Sequence, residues 1–452
     1  MTLLNELSAE VCQRARMSRD PRFDGRFFVA VKTTGIFCRP ICPANLPKEE
    51  NVEYFSSQAL AGLAGYRPCL RCRPESAPHS WAWKGAETTF LRALTLIEQG
   101  ELDGSLETLA SRLGISDRYL RQLFQRHLGM PPKQYAQIQQ LMFAKQLLHT
   151  SQISITEVAY ASGFQSTRRF NDAFQKLFRL TPTQVRRERA ALPSRNHLSL
   201  AFRGPFDWAH MLDSYRLRAI EGMELVDEQS YQRHFVLGEG TGWFKASMAQ
   251  SHLDIEFEME RLSDLRHLVA RLRRMFDLDA DLISIEAHLE QLAPGLVRRT
   301  GIRIPGVWNA WEAGVRAVLG QQVSVKAAIG QLNLLVSTLA ASEGSTRYFP
   351  TPEQVQMSDL SFLRMPERRK ETLKRLADYV RLHPMDSPMA WLSLSGIGPW
   401  TVDYAQLRGE SRSHCFLTGD LIVKKALAKF PQLTAESVAP WGSYATFHCW
   451  SH

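Results

Sequence analysis

Four cysteines in two close pairs, Cys38-x-x-x-Cys42 and Cys69-x-x-Cys72, most constrain the fold, because they ask two stretches of chain 30 residues apart to meet at one point. The full set is Cys12, Cys38, Cys42, Cys69, Cys72, Cys415 and Cys449. This odd count follows an N-terminus in which Glu6 and Glu10 interrupt any signal-like apolar core. Reduced thiols therefore fit better than disulfides, and two pairs of soft ligands can each supply one edge of a tetrahedron around zinc. Unrelated buried thiols are the alternative. Around the pairs, residues 3–16 have the pattern of a short amphipathic helix, Phe27–Val31 is strand-like, and Thr33-Thr34-Gly35 turns the chain. Arg39, Arg67, Arg71 and Arg73 surround the ligands in sequence and would meet phosphates or simply be solvated.

Charge separates the chain into two parts. Residues 1–195 hold 27 Lys/Arg against 17 Asp/Glu, a balance of +10, and residues 196–452 hold 28 against 29, a balance of −1. A basic excess confined to one part implies a polyanion held there, since neutralising phosphates supplies most nonspecific affinity. The 452 residues are enough for about three ordinary domains. No apolar run reaches membrane-spanning length, so a cytoplasmic location is expected.

A Pro/Ser-bearing linker is expected near Pro74 to Lys84, and helical periodicity follows it. Leu106 to Leu113 forms a short helix, Gly114 turns, and Ser116 caps a second helix carrying Arg118, Arg121, Gln122 and Arg126. A short helix, a turn and a basic second helix make a helix-turn-helix able to enter the major groove. The layout repeats after a long helix from about Pro132 to His149: Gly163 turns, and Gln165, Ser166, Thr167, Arg168 and Arg169 open the next helix. A second linker is expected at Arg189 to His197, followed by strands with period-two alternation up to about Glu258 and a helix beginning in PFDWAHML. Beyond Ser263 the chain turns helical, with a break at Gly320-Gln321-Gln322. Near the C-terminal end, Ser395-Gly396-Ile397-Gly398-Pro399 reads as a tight helix-to-helix hairpin whose amides can grip an anion. Asp420, after Thr418-Gly419 and before Leu421 to Lys425, sits where a carboxylate caps a helix or does chemistry.

Three resemblances follow from these motifs. TTGIFCRPICPA with RPCLRCRP resembles the zinc domain of the Ada family, which implies one Zn2+ held by Cys38, Cys42, Cys69 and Cys72, with Cys38 accepting a methyl group from a methylphosphotriester in DNA. A purely structural zinc is the alternative. The double helix-turn-helix, ending in Phe170, Phe174, Phe178 and Pro182, resembles the AraC-type DNA-binding domain, with Arg118, Arg121, Arg168 and Arg169 facing DNA and Arg39 and Arg71 adding contacts in the zinc domain. The C-terminal half resembles AlkA-type 3-methyladenine glycosylases of the helix-hairpin-helix/Gly-Pro-Asp superfamily. That likeness implies backbone contacts from Gly396 and Gly398, an aromatic pocket of Trp400, Tyr404 and Trp450, and Asp420 as the catalytic carboxylate. Asp403 is the nearest rival, but it lies inside the helix after the hairpin. Where the best-known relative has a leucine wedge this chain has Gln322, and where bifunctional relatives have a Schiff-base lysine it has Trp400, so base removal without strand cleavage is expected.

The fold implied is multidomain and mainly α: a small α/β zinc domain (residues 1–80), an AraC-type domain (86–190), a mixed α/β subdomain (196–262) and an all-α helix-hairpin-helix glycosylase domain (263–452). The function implied is DNA alkylation repair with transcription regulation. Its partners would be double-stranded DNA and RNA polymerase, with no membrane. A methylation-responsive regulator whose glycosylase-like part only binds DNA is the alternative. No Pro-Cys-His-Arg motif of O6-alkylguanine methyltransferases is present.

Overall fold

The apolar run at residues 27–30 is continuous because its strand is covered on both faces. In the computed structural model, which describes residues 7–20, 23–69, 71–72, 74, 81–98, 100, 102, 105–187, 196–340, 342–343, 346–384 and 386–452, this run belongs to a four-stranded sheet. The strands are β1 (Phe28–Val31), β2 (Ile36–Cys38), β3 (Val52–Phe55) and β4 (Arg67–Pro68), in the order β3-β1-β2-β4, with β2 and β4 parallel. Phe27 and Val29 pack with Cys12 and Ala15 of α1 (Ala9–Ser18), while Phe28 and Ala30 pack with Ala61 of α2 (Gln58–Leu63). The first helix starts at Ala9, where the Ser8 hydroxyl accepts from the Val11 amide and caps it; residues 3–6 of the expected helix lie outside the described residues. Buried Arg16 clamps it to the module, bonding Glu49, the Tyr54 hydroxyl at 3.2 Å and the Pro47 carbonyl at 3.1 Å. Arg73, residues 75–80 of the first expected linker and residues 189–195 of the second lie outside the described residues.

Helix α3 (Trp81–Glu98) occupies the end of the stretch expected as linker. It supplies Phe90, Ala93 and Ile97 to a core shared with α4 (Leu106–Arg112) and α5 (Asp117–Leu128). Ser105 and Ser116 cap the latter two helices. After α6 (Pro132–Thr150) the unit repeats as α7 (Ile155–Ala161), opened by a Ser154/Glu157 capping box, and α8 (Thr167–Phe178), followed by α9 (Pro182–Arg187). Compactness divides the chain inside α6, into residues 1–139 and 140–452.

Within the second unit a five-stranded antiparallel sheet runs β5 (His197–Ala201), β9 (His252–Met259), β8 (Gly240–Met248), β7 (Ser230–Leu237) and β6 (Glu224–Val226). The three-residue edge strand β6 is too short to show in the sequence pattern. Helix α10 (Trp208–Arg216), capped by Asp207, covers the sheet together with α11 (Leu265–Met275). The all-helical part comprises α12 (Leu282–Leu292), α13 (Ala310–Gly320), α14 (Val325–Leu339), a minimal hairpin of β10 (Ser342–Glu343) and β11 (Thr346–Arg347), α15 (Pro352–Met357), α16 (Glu367–Leu382), α17 (Pro399–Glu410), α18 (Leu421–Lys429) and α19 (Gly442–Trp450).

One buried acid in this part makes stability depend on pH. Asp277 accepts from the Tyr444 hydroxyl at 3.0 Å and from the Ile304 amide at 3.2 Å, but burial dominates and pushes its carboxyl from 3.8 up to about 7. Between those values the folded state holds a proton that the unfolded state has released. Stability from this group is therefore complete below about pH 4 and is lost as pH rises through 7. Asp277→Asn keeps the acceptor without the charge. At pH 8 it should be more stable than the wild type to urea by up to about 4 kcal/mol, an advantage that shrinks at pH 5.

Candidate functional site

The first candidate centre is built by β2, the turn after it and the chain leaving β4. The Cys42 amide donates to the Arg39 carbonyl at 3.1 Å, closing the Cys38–Cys42 turn, and the Cys69 amide donates to the Phe37 carbonyl at 2.9 Å, bringing the second pair alongside. The four ligand atoms of Cys38, Cys42, Cys69 and Cys72 lie within 4.8 Å of one another. Tetrahedral zinc with Zn–S bonds of about 2.3 Å needs sulfurs about 3.8 Å apart, so this donor set fits one such ion. Crowding acts on the thiols in opposite senses: the hydrogen bond between them pushes Cys38 up and pulls Cys72 down, with the neighbouring cysteines and burial also holding Cys38 up. Four adjacent thiolates need a cation to share.

Arg39 has a partner within the fold. Its guanidinium grips Asp24 through Nε at 2.8 Å and through Nη2, and its amide donates to Cys72 Sγ at 3.4 Å. Sequence reasoning had no signal for Asp24, which is buried and 15 residues earlier. Arg67 and Arg71 are exposed. On the second helix of each helix-turn-helix, Leu120, Leu123 and Phe124 of α5 and Phe170 and Phe174 of α8 face their cores, and Arg118, Arg121, Arg168 and Arg169 are exposed. Arg121 makes an i,i+4 pair with Asp117 at 3.3 Å.

The second candidate centre gathers around the N-termini of α17 and α18. Gly396 stands at φ 93°, and a Cβ there would meet Thr372 Oγ1 at 2.1 Å, so only glycine fits this hairpin. Gly398 begins α17 with extended backbone and no side-chain cap; Pro399 at the first helical position has no N–H to satisfy, and the Thr401 amide donates to the Gly398 carbonyl at 3.0 Å. Trp400 and Tyr404 stack with ring centroids 5.3 Å apart. Asp420 is the N-cap of α18: its Oδ1 accepts from the amides of Ile422 at 2.9 Å and Val423 at 3.2 Å. Trp450, at the end of α19, donates its indole N–H to the same oxygen at 3.1 Å. Among the described residues no donor meets Oδ2, which leaves that oxygen available. Asp403 lies within α17, its carboxyl held above the usual range by burial.

Gln322 lies in the turn between α13 and α14, exposed and left-handed at φ 56°, a conformation that a long side chain adopts only under constraint. The constraint is Gln321, whose Nε2 donates to the Gly396 carbonyl at 3.1 Å and to Thr401 Oγ1 at 3.2 Å. This tie between the Gln turn and the hairpin was missed in the sequence, where Gln321 was one of two adjacent glutamines in a helix break.

Family models match three stretches of the chain: the metal binding domain of Ada at residues 11–75, a helix-turn-helix domain at 109–188, and the AlkA N-terminal domain at 197–309. A probable bifunctional transcriptional activator/DNA repair enzyme AlkA of Mycobacterium tuberculosis is 34% identical over 475 residues, an alignment covering 98% of this chain and 96% of that protein. The chain belongs to the Ada/AlkA family of bifunctional transcriptional activator/DNA repair enzymes. This Ada/AlkA chain also matches its two parts separately. DNA-3-methyladenine glycosylase 2 of Escherichia coli is 33% identical over 56% of this chain and 96% of its own length. The bifunctional transcriptional activator/DNA repair enzyme Ada of E. coli is 35% identical over 38% of this chain and 47% of its own length. The four cysteines of the Ada-type module form a single Zn2+ site. Among the described residues, no helix is long and apolar enough to cross a membrane.

Proposed function

We propose that the chain couples two repair chemistries with DNA reading: stoichiometric methyl transfer from DNA methylphosphotriesters to Cys38, and hydrolytic release of N-alkylated purines of the 3-methyladenine type at Asp420. The modules are assigned to residues 1–80, 86–190, 196–262 and 263–452. Bound zinc would keep Cys38 ionised and nucleophilic. Cys38 Sγ then attacks the methyl carbon, the S–C bond forms as the C–O bond breaks, and the electron pair leaves on the phosphate oxygen. The thiolate becomes a thioether, so four thiolates on a divalent cation pass from a net −2 to −1, and repulsion from the DNA backbone falls. Arg39 acts here as a positioning residue through Asp24, while among the described residues Arg67 and Arg71 are exposed cations for phosphate.

The glycosylase reading rests on Asp420. A base in a duplex cannot be reached, so the nucleotide is extruded at a cost of about a few kcal/mol. The Trp400–Tyr404 stack offers electron-rich faces to a cationic alkylpurine. Such a base is already a good leaving group and needs no general acid. What remains is to stabilise the oxocarbenium-like sugar and orient water, and the oxygen of Asp420 without a donor suits both tasks. Trp450 orients the carboxylate through its indole N–H. With Trp400 where a Schiff-base lysine would stand, water is the nucleophile and the DNA strand stays intact. The hairpin turn at Gly396 and Gly398 holds the DNA backbone, and Gln322 enters the space of the extruded base. Arg118, Arg121, Arg168 and Arg169 direct the molecule to promoter DNA, where RNA polymerase would be the next partner, in the cytoplasm.

Stoichiometry tests the two chemistries together. On DNA carrying both lesions, each chain should gain one methyl group, on the Cys38 peptide, while free alkylpurine accumulates in molar excess over protein. A Cys38→Ala protein that still takes up methyl groups, or release that stops at one base per chain, would overturn the assignment. Gln321→Ala removes two hydrogen bonds worth about 1 kcal/mol each. It should slow base release about tenfold in single-turnover kinetics, while methyl uptake by Cys38 stays unchanged.

A further inference from the structure

Beside the aromatic stack, the interior of residues 140–452 holds more cation than anion. Buried Glu224 and Glu312 are both shared by Arg233 and Arg316: Arg233 pairs with Glu224 at 2.7 Å and Glu312 at 2.5 Å, and Arg316 pairs with Glu312 at 2.8 Å and Glu224 at 3.3 Å. Two further guanidinium groups reach the same region. Arg218 donates to the Ser214 carbonyl at 3.2 Å and also has the Tyr404 phenol as a hydrogen-bond partner. Arg408 is 1% exposed, its Nε meets no acceptor, and its Cζ lies 5.8 Å from the centre of the Tyr404 ring. Among the described residues no carboxylate pairs with Arg408. Four cations therefore face two carboxylates, an excess of two.

A buried charge without a counter-ion is unfavourable enough that a neighbouring group changes its ionisation to meet it. The group in place to do so is the Tyr404 phenol. Burial opposes its ionisation, yet Arg408, Arg218 and Arg316 together outweigh burial and the smaller opposing effect of Glu312, and the phenol is drawn below its ordinary value. The same pairing holds Arg218 from the other side: burial lowers its guanidinium, and the phenol partly offsets this.

We propose that Arg408 is a positioning residue which, with Arg218, makes Tyr404 the titratable wall of the base pocket and so sets the preference for positively charged over neutral bases. As pH rises the phenol gives its proton to solvent, and the phenolate cancels one of the two excess positive charges. A cationic base then enters a less repulsive pocket, while a neutral base gains little. The proposal rests on the reading of Trp400 and Tyr404 as the base pocket.

Two measurements on the full chain test it. In an ultraviolet titration, the wild type should show one tyrosine ionising below the ordinary value of about 10 that is missing in Tyr404→Phe. Arg408→Gln should move it upward and Arg408→Lys should restore it. In single-turnover release, the rate ratio of N7-methylguanine to hypoxanthine should rise about tenfold across that titration in the wild type and stay flat in Tyr404→Phe. Identical tyrosine titrations of wild type and Tyr404→Phe below about pH 10 would overturn the proposal, whether or not Arg408→Gln folds. A low-titrating Tyr404 with a flat ratio would overturn its selectivity half. Complete absence of base release would instead sink the glycosylase reading, leaving the tyrosine titration to decide the acidity on its own.

Discussion

Removing zinc is expected to unfold residues 7–74 while the glycosylase half stays folded. The zinc module has little else to hold it. One face of its sheet buries Cys12, Ala15, Phe27, Val29 and Val52, and the other buries Phe28, Ala30, Phe37 and Ala61, so one alanine and two alanines respectively stand where larger domains place leucine or isoleucine. Cores this small do not offset the conformational entropy of ordering the chain, and a structural metal supplies about 10–16 kcal/mol where apolar burial falls short. With the cation gone, four thiols within 4.8 Å must share protons, and the turns that Cys42 and Cys69 close lose their purpose. Hydrogen exchange after treatment with a strong chelator should show amides of β1, β2 and β3 losing about 1000-fold or more in protection. Amides of β7, β8 and β9 should be unchanged. A protected sheet in the chelated protein would mean that packing alone holds the module.

The second large effect is expected at Asp420, where the carboxylate that caps α18 is also the one proposed for catalysis, and a single substitution separates the two. Asparagine caps a helix as well as aspartate does, so Asp420→Asn keeps acceptors for the Ile422 and Val423 amides and for the Trp450 indole. It removes only the negative charge. Removing a preorganised electrostatic contact from a developing charge typically lowers a rate about 100- to 1000-fold, and base release should fall by at least that much with thermal stability unchanged. Asp420→Ala should lose the same activity and additionally about 1 kcal/mol of stability, because the cap goes too. If Asp420→Asn unfolds as readily as Asp420→Ala, the cap argument fails. If Asp420→Asn retains most of the release rate, the charge is elsewhere, and Asp403 becomes the residue to change.

Much of this architecture was legible because it is local. Cysteine spacing, the helix pairs around Gly114 and Gly163, the alternation in β7 to β9 and the glycine turn before α17 each leave a mark within a dozen residues. Asp420 could be read as a helix-opening residue because a glycine precedes it and an apolar-cationic run follows. What stayed hidden joins distant residues. The Asp24 grip on Arg39, the Trp450 bond to Asp420, the Gln321 tie to Gly396 and the approach of Arg218 to Tyr404 all depend on tertiary placement, which no periodicity reports. Arg39 shows the consequence. In sequence it is one of several arginines around zinc ligands, and in the fold its guanidinium is already engaged. The division of compactness inside α6 has the same origin, since a continuous helix carries no boundary in its own pattern.

The most direct test of the central claim is a time course on duplex DNA carrying N3-methyladenine, with free base and strand breaks counted in the same samples. The wild type should release free base over many turnovers and leave the strands intact until alkali cleaves the abasic sites, while Asp420→Asn releases base at least about 100-fold more slowly. Wild-type protein that binds this DNA but frees no base would contradict the account and leave the C-terminal half as a DNA-binding module.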